Sequence, residues 1–334
     1  MNKEASVIGI DIGGANTKLA FADRSIVELH YIPLWKDTQL PQALQDMARR
    51  FKPGKVGVVI TGELADCFPD KEQGVRFIVD AVDAAFPGAM YLDHHGLFSN
   101  SSNISDIRSL AAANWMASAL LAGKDTDCIF VDAGSTTTDL IPVKNGCPLA
   151  GDTDLKRLGR HELLYRGMLR TNIAALMNRI ELSGVQYRVA SELFAQTGDA
   201  YVLLGCVRPE DYTCDTPDGE GKTPKSAARR LARVVCADTT ELQHEDIMNI
   251  ARQIYQHQRD ELSEALELLS KQHCIKKVVG AGLGELLIQD AARHAGLGST
   301  LLSRKYGPDI SKVFPAFAVA CLLSEYDTSS QLSY

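Results

Sequence analysis

The chain has no apolar run approaching twenty residues and no signal-peptide pattern behind Met1-Asn2-Lys3-Glu4. Neither a membrane-spanning helix nor export is therefore expected, and the chain reads as cytoplasmic. Positive charge is also scarce: 35 Lys and Arg face 42 Asp and Glu, a formal net charge of −7 at neutral pH. That balance argues against nucleic acid or an anionic membrane as the main partner. An anionic small molecule remains admissible if backbone amides, a lysine or a metal hold it locally. The eight cysteines, at 67, 128, 147, 206, 214, 236, 274 and 321, contain no pair at CxxC spacing. This speaks against a zinc knuckle or an iron–sulfur site. They are expected as reduced thiols, several in buried strands, Cys128 among them. His94-His95 is the only histidine pair and reads as a loop feature rather than a metal site.

What is present is a chain of 334 residues, 45% hydrophobic and 23% charged. That is ordinary for a globular protein and long enough for two lobes, each with its own core. Near its start stands "IGIDIGGANTKLAF", residues 8–21. Val7, Ile8, Ile10 and Ile12 read as a strand, Gly13-Gly14 permits a tight turn, and Lys18-Leu19-Ala20-Phe21 returns as a strand. Asn16, Thr17 and Lys18 can point into whatever the turn encloses. The unit is a hairpin, whereas a Rossmann or Walker loop must open a helix.

A second buried-type strand, "KVGVVIT" at 55–61, ends in Gly62-Glu63. The pattern then predicts a helix over 73–87, a short strand in 89–96, and one helix over 104–121 with Ser105 as N-cap and Gly123 at its close. At 128–143 the first pattern returns: an apolar strand ends in Asp132, Gly134 and the hydroxyls Ser135, Thr136 and Thr137 follow, and the chain resumes as a strand through Asp139. Such duplication predicts two related lobes facing one another. The expected division is a first lobe over 1–122 and a second over 123–334, with an insertion around 185–240 and a glycine turn at 280–284. Within the insertion, "TCDTPDGEGKTPKSAARR" (213–230) reads as an exposed loop leading into a basic helix, with Asp199 and Asp215 explained by turn chemistry. Residues 244–270 predict a long amphipathic helix, 275–296 a strand, glycine turn and helix, and 315–323 a final apolar helix. The tail over 328–334 is expected to fray.

Two Asp–Gly–hydroxyl hairpins make an anion cradle, because glycine lets main-chain N–H groups approach phosphoryl oxygens. Asp11 and Asp132 can hold Mg²⁺, and Lys18 places positive charge where a leaving group gathers negative charge. A bland alternative makes each Asp-Gly only a strand-ending turn, but two matched loops with a downstream glycine turn weigh against it.

"DIGGANTK", "DAGSTTTDL" and "GAGLGE" resemble, in order, the phosphate-1, phosphate-2 and adenosine motifs of the acetate kinase, sugar kinase, Hsp70 and actin superfamily. The second loop is similar to that of its hydantoinase A/oxoprolinase branch. More narrowly, "TGELADCFPDKEQGV" (61–75), "AAANWMASA" (111–119) and "DAGSTTTDLIP" (132–142) resemble the archaeal and methylotroph family tied to tetrahydromethanopterin-linked C1 transfer, which includes an enzyme of methanofuran biosynthesis. The likeness spans most of the chain and is weakest across 185–260.

The resemblance implies an α/β fold of two ribonuclease H-like lobes around a central cleft. It also implies a Mg²⁺-assisted transferase of the class that forms aryl ethers with release of diphosphate. Its substrates would be γ-glutamyltyramine and a furanmethyl diphosphate. Lys18 and the two loops (Gly13, Gly14, Asn16, Thr17; Gly134, Ser135, Thr136, Thr137) would hold diphosphate, and Asp11 and Asp132 the metal. A phenol attacks best as phenolate, so Glu63 is the expected base, with Asp139 second; either can instead lie behind the metal ligands. Thr61 and Asn114 would line the site. Arg170 with Thr171 would meet a carboxylate or diphosphate, unless Arg170 is only a surface ion pair. Gly280 and Gly282 would face adenosine in a kinase, or else allow close helix–strand packing or shape the furan pocket. Two rivals stay open: an ATP-dependent small-molecule kinase or hydrolase of the same fold, and a nucleotide-sensing protein without catalysis. The sequence leaves the choice between monomer and homodimer open.

Overall fold

The computed structural model describes residues 6–36 and 39–326. The expected fraying at 328–334 lies outside them. In chain order the elements begin with β1 (Val7–Gly13), β2 (Asn16–Phe21), β3 (Val27–Tyr31), α1 (Leu40–Phe51), β4 (Lys55–Thr61), α2 (Lys71–Ala85), β5 (Met90–Leu92), β6 (Phe98–Asn100) and α3 (Asn114–Gly123). There follow β7 (Cys128–Ala133), β8 (Thr138–Lys144), β9 (Cys147–Pro148), α4 (Asp154–Gly159), β10 (Leu163–Leu164), α5 (Ile173–Leu176), β11 (Arg179–Leu182), β12 (Val185–Arg188), α6 (Thr197–Leu203) and α7 (Pro224–Arg233). The chain closes with α8 (His244–His273), β13 (Lys277–Gly282), α9 (Glu285–His294), β14 (Gly298–Leu301), α10 (Ser303–Tyr306), α11 (Pro308–Lys312) and α12 (Phe314–Glu325). None of the described helices is long and apolar enough to cross a membrane.

The residues group into two compact units. One holds 1–127, 143–157 and 303–334; the other holds 128–142 and 158–302. This differs from a single boundary near residue 122, and the cause is the C-terminal helix. Gly9 and Gly57 are register partners on parallel β1 and β4, and together they leave a groove without side chains. A Cβ on Gly9 would fall 1.9 Å from the Ala316 carbonyl oxygen, and one on Gly57 would lie 3.2 Å from Val319. The backbone of α12 therefore rests directly on the first sheet. Phe314, Ala316, Phe317, Ala318, Val319, Ala320 and Leu323 are all buried, as an evenly apolar helix requires.

The first sheet runs β3-β2-β1-β4-β5-β6 and the second β10-β8-β7-β13-β14, with β9 on β8. β1 runs antiparallel to β2 and parallel to β4, while β7 runs parallel to β13 and β13 to β14. The two sheets thus share the strand order of a ribonuclease H-like lobe, and the repeated sequence pattern is a repeated topology. The fold is mixed α/β.

Local chemistry sets the element ends. Asp70 caps α2 by accepting from the Gln73 amide at 2.8 Å, and Gln243 with Asp246 forms a capping box on α8. The expected single helix over 104–121 is broken. Asp106 caps a short 3-10 turn at Ile107–Leu110, Ala112 turns left-handed at φ 50°, and α3 starts only at Asn114. The Ala113 amide is used elsewhere, donating to the Ile60 carbonyl of β4 at 3.1 Å. Within 185–240 the expected loop is present, exposed over 218–221, and it runs into the basic helix α7. α6 and α7 pack with α8 around Ala200, Leu231, Ile250 and Ile254, which are buried in one cluster.

The Gly9 contact tests this assembly. Gly9→Val is expected to destabilise the chain by about 3 kcal/mol or more through overpacking against backbone. Gly88→Ala, in a surface turn with nothing within 4 Å of the added methyl but φ at 84°, should cost only about 1 kcal/mol. Chemical denaturation of both variants checks the contrast.

Candidate active site

In the first unit, β1 carries Asp11 to 1% exposure. Lys18 is its register partner on β2, so the two side chains leave the sheet on the same face. Lys18 Nζ lies 3.1 Å from Asp11 Oδ2, and Thr61 Oγ1 at the end of β4 donates to Oδ1 at 3.3 Å. Asp11, Lys18 and Thr61, three expected site residues, therefore meet at the carboxyl ends of two parallel strands, where open α/β sheets bind ligands. Asn16 and Thr17 are buried in the returning strand, and Thr17 Oγ1 has no hydrogen-bond partner among the described residues.

The expected tight turn joins β1 to β2. Neither Gly13 nor Gly14 has a positive φ, so no left-handed residue is needed there. A Cβ on Gly14 would meet nothing within 4 Å. The glycine leaves open space against the backbone, which is what a close-approaching ligand needs.

The loop after β4 is pressed onto this hairpin: a Cβ on Gly62 would lie 3.1 Å from Gly13 backbone atoms. The next residue, Glu63, is 1% exposed, and its Oε2 has no hydrogen-bond partner. Burial pushes its pKa up to about 7, and the charge of Asp154 adds to the rise. Lys71, with Nζ 3.9 Å from Oε1, and the Ala112 amide pull the other way. Asp154 is itself clamped by Arg157 Nη2 at 2.6 Å, and the buried Arg157 guanidinium lies 5.1 Å over the Trp115 ring. Asn114, expected in the site, opens α3 beside Trp115.

Sequence reasoning missed Lys71, Trp115, Asp154 and Arg157. The i,i+3 spacing of Asp154 and Arg157 was a legible pairing signal; their link to Glu63 was not, being long-range.

In the second unit the Gly134 amide donates to the Thr137 carbonyl at 2.9 Å and closes the loop after β7. Residues 166–170 brace it from below. The Met168 amide donates to the Gly134 carbonyl, and the Leu169 and Arg170 amides to the Ser135 carbonyl. Gly167 is obligatory here, since a Cβ would stand 2.4 Å from the Ser135 carbonyl oxygen. Arg170 Nη1 reaches Thr136 Oγ1 of the loop at 3.4 Å. Thr171 is turned away from it, accepting from the Gly167 amide at 2.9 Å, and has a structural role. A Cβ on Gly134 would meet only the Thr137 carbonyl, at 3.5 Å. Asp139 is buried on β8, opposite Leu163 of β10.

The glycine turn of β13 packs against Asp132. Gly282 has φ 90°, and a Cβ there would fall 2.3 Å from Asp132 Oδ1; one on Gly280 would lie 3.0 Å from Ile288. Both glycines have packing reasons without any adenosine. Among the described residues no group of three or more His, Cys, Asp or Glu is arranged to hold a metal. Asp199 is not a turn residue: it belongs to the capping box of α6 and is buried against Arg230.

A solved ROK family glucokinase from Streptomyces griseus, in complex with glucose and AMPPNP, superposes with a TM-score of 0.49. It is 13% identical, covering 95% of this chain and 98% of that one. Two relatives carry the name (4-{4-[2-(γ-L-glutamylamino)ethyl]phenoxymethyl}furan-2-yl)methanamine synthase. The one from Methanocaldococcus jannaschii is 39% identical over 328 residues, 96% of this chain and 98% of the relative. The one from Methanococcus vannielii is 37% identical over 203 residues, 60% of this chain and 91% of the relative. The hydantoinase/oxoprolinase family profile matches residues 55–326, and the chain belongs to that family.

Proposed function

We propose that this chain is the enzyme of methanofuran biosynthesis that forms an aryl ether. It joins the phenol oxygen of γ-glutamyltyramine to the methylene carbon of an aminomethylfuran-methyl diphosphate and releases diphosphate, an alkyl transfer. The observation that carries the reading is the 39% identity, across 96% of the chain, to a synthase whose name contains the phenoxymethyl–furan linkage. In the reaction the carbon–oxygen bond to diphosphate breaks, its electron pair leaving with the diphosphate. The phenol oxygen bonds to the methylene carbon, and the phenol proton passes to a base.

A furfuryl carbon tolerates cationic character, so the barrier lies mainly in neutralising the departing diphosphate. In this reading the amides and hydroxyls of the 134–137 loop and Arg170 bind phosphoryl oxygens, and Lys18 supplies charge beside Asp11. Thr61 keeps Asp11 oriented. Glu63 takes the phenol proton. A carboxylate titrating at about 7 is about half ionised at neutral pH, and its ionised form is a far stronger base than an ordinary carboxylate. Asp139 is the second candidate for that role.

Asp11 in the first unit and Asp132 in the second each offer the hard carboxylate oxygens that Mg²⁺ prefers, and the open side of Gly14 leaves room for phosphate at the backbone. Because Asp11 already meets Lys18 and Thr61, the ion would take most of its ligands from water and phosphate, as Mg²⁺ does. When bound it would neutralise diphosphate charge.

Purified protein with Mg²⁺ and both substrates, without ATP, is expected to release one diphosphate per ether formed. ADP formed from ATP in the presence of an acceptor, with no ether, would overturn the reading in favour of the kinase.

Glu63→Gln should lower turnover by about 10²-fold or more, and the wild-type rate should rise with pH through about 7. The stability of the same variant carries a sign. Burial raises the folded pKa above its ordinary 4.5, so between these values the folded protein keeps a proton that the unfolded chain has lost. Stability present below pH 4.5 is therefore lost as pH rises through about 7, by about 3 kcal/mol. Urea melts should show Glu63→Gln more stable than wild type at pH 8, with the advantage shrinking toward pH 5.

Gly14→Ala should leave the melting temperature nearly unchanged yet weaken inorganic diphosphate severalfold in calorimetry.

A further inference from the structure

The insertion over 185–240 has no part in the roles assigned above, yet it is bonded to the segment 166–170 that braces the 134–137 loop. The bonds of that brace fix how the loop faces. The Gly134 carbonyl accepts from the Met168 amide at 2.9 Å, and the Ser135 carbonyl from the Leu169 and Arg170 amides at 3.0 Å each. None of the described peptide bonds is cis, and in a trans peptide the following N–H points opposite to the carbonyl. The Ser135 and Thr136 amides therefore both point away from the brace, side by side. Two successive amides on one side make an anion-binding concavity.

The loop keeps this orientation only as firmly as the brace is held, and the insertion holds it. Thr197 is fully buried and donates through Oγ1 to the Gly167 carbonyl at 2.9 Å. Its amide donates to the Thr171 carbonyl at 2.9 Å, and the Gly198 amide to the Leu169 carbonyl at 3.1 Å. Gly167 is the residue that lies directly under Ser135. From α8 the buried Gln258 reaches the same Gly167 carbonyl at 3.4 Å, and accepts from the Tyr201 hydroxyl at 2.9 Å. Behind Thr197 stands the fully buried pair of Arg230 and Asp199, with Nη2 2.7 Å from Oδ1. Asp199 Oδ2 accepts from the Gln196 amide at 3.0 Å, and Arg230 also donates to Asp218 at 2.9 Å and to the Gly221 carbonyl at 3.2 Å. A buried pair of this kind adds little net stability over apolar residues, but it holds its partners in one geometry. Here that geometry is the first turn of α6, which carries Thr197.

We propose that Thr197 is a positioning residue for diphosphate: it seats Gly167 so that the Ser135 and Thr136 amides face the phosphoryl oxygens, with Arg230 and Asp199 holding Thr197 in place. This rests on the function proposed above, in which the 134–137 loop binds the departing diphosphate. Removing the Thr197 hydroxyl takes the shortest donor from a buried carbonyl, which must then move toward another. Gly167 has no slack against Ser135, because even a methyl group there would stand 2.4 Å from its carbonyl oxygen. A shift of the brace therefore becomes a shift of the loop, and amide–phosphoryl bonds weaken steeply with distance and angle.

Equilibrium calorimetry tests this apart from turnover. Inorganic diphosphate with Mg²⁺ and, separately, γ-glutamyltyramine are titrated into wild type, Thr197→Val and Thr197→Ser. Valine keeps the shape of threonine without the hydroxyl, and serine keeps the hydroxyl. Thr197→Val should weaken diphosphate about tenfold while γ-glutamyltyramine stays within about twofold, and Thr197→Ser should restore most of the loss. Hydrogen exchange on wild type gives a second reading that needs no variant, and it decides the matter if Thr197→Val does not fold. Diphosphate should slow exchange over 195–199, a segment that reaches the loop only through the brace. Equal diphosphate binding by wild type and Thr197→Val, or unchanged exchange over 195–199, overturns the inference and leaves the function standing. Equal loss of both ligands overturns it in favour of general loosening. Wild type that binds no diphosphate overturns the function and the inference together.

Discussion

A carboxylate carried into a protein core must find a cation, a donor or a proton, and the first unit is arranged around two that answer this differently. Asp11 stands opposite Lys18 across the hairpin and takes a hydrogen bond from Thr61. Glu63, two residues past Thr61, has Lys71 only at 3.9 Å and one oxygen with no partner, so its pKa rises to about 7. Desolvation alone would favour the neutral acid. The two carboxylates thus differ: one is paired with a lysine and a hydroxyl, and the other has its pKa raised by burial.

The second unit applies the same backbone plan to a different end. Its loop after β7 is held from beneath by residues 166–170 rather than by a lysine on the returning strand. Where β2 has Lys18, β8 has Asp139, and the cation comes instead from Arg170. The duplication therefore preserves the topology and the glycine-lined turn but not the charge.

The packing glycines separate into two kinds. Gly9, Gly57, Gly167 and Gly282 are required because another backbone or a carboxylate already occupies the place of a Cβ. Gly14 and Gly134 have no such neighbour closer than 3.5 Å. The first kind explains how helix and sheet approach; the second leaves room for something the chain does not itself supply.

The strands, the repeated Asp-Gly hairpins, the long helix α8 and the apolar α12 were legible in the sequence because period and turn chemistry are local. Glu63 stood out as the candidate base from its place just past a buried strand, and the structure buries it there. The break at Ala112 was not legible, since it answers to the Ile60 carbonyl on a distant strand. Nor was the membership of α12 in the first unit, which depends on two glycines more than 250 residues away meeting its backbone. The pKa of Glu63, the Asp154–Arg157–Trp115 brace and the Arg230 hub of the insertion were likewise decided only by tertiary structure. Desolvation and Coulomb interaction depend on distance through space, and residue spacing along the chain reports that distance only within a helix turn or a hairpin.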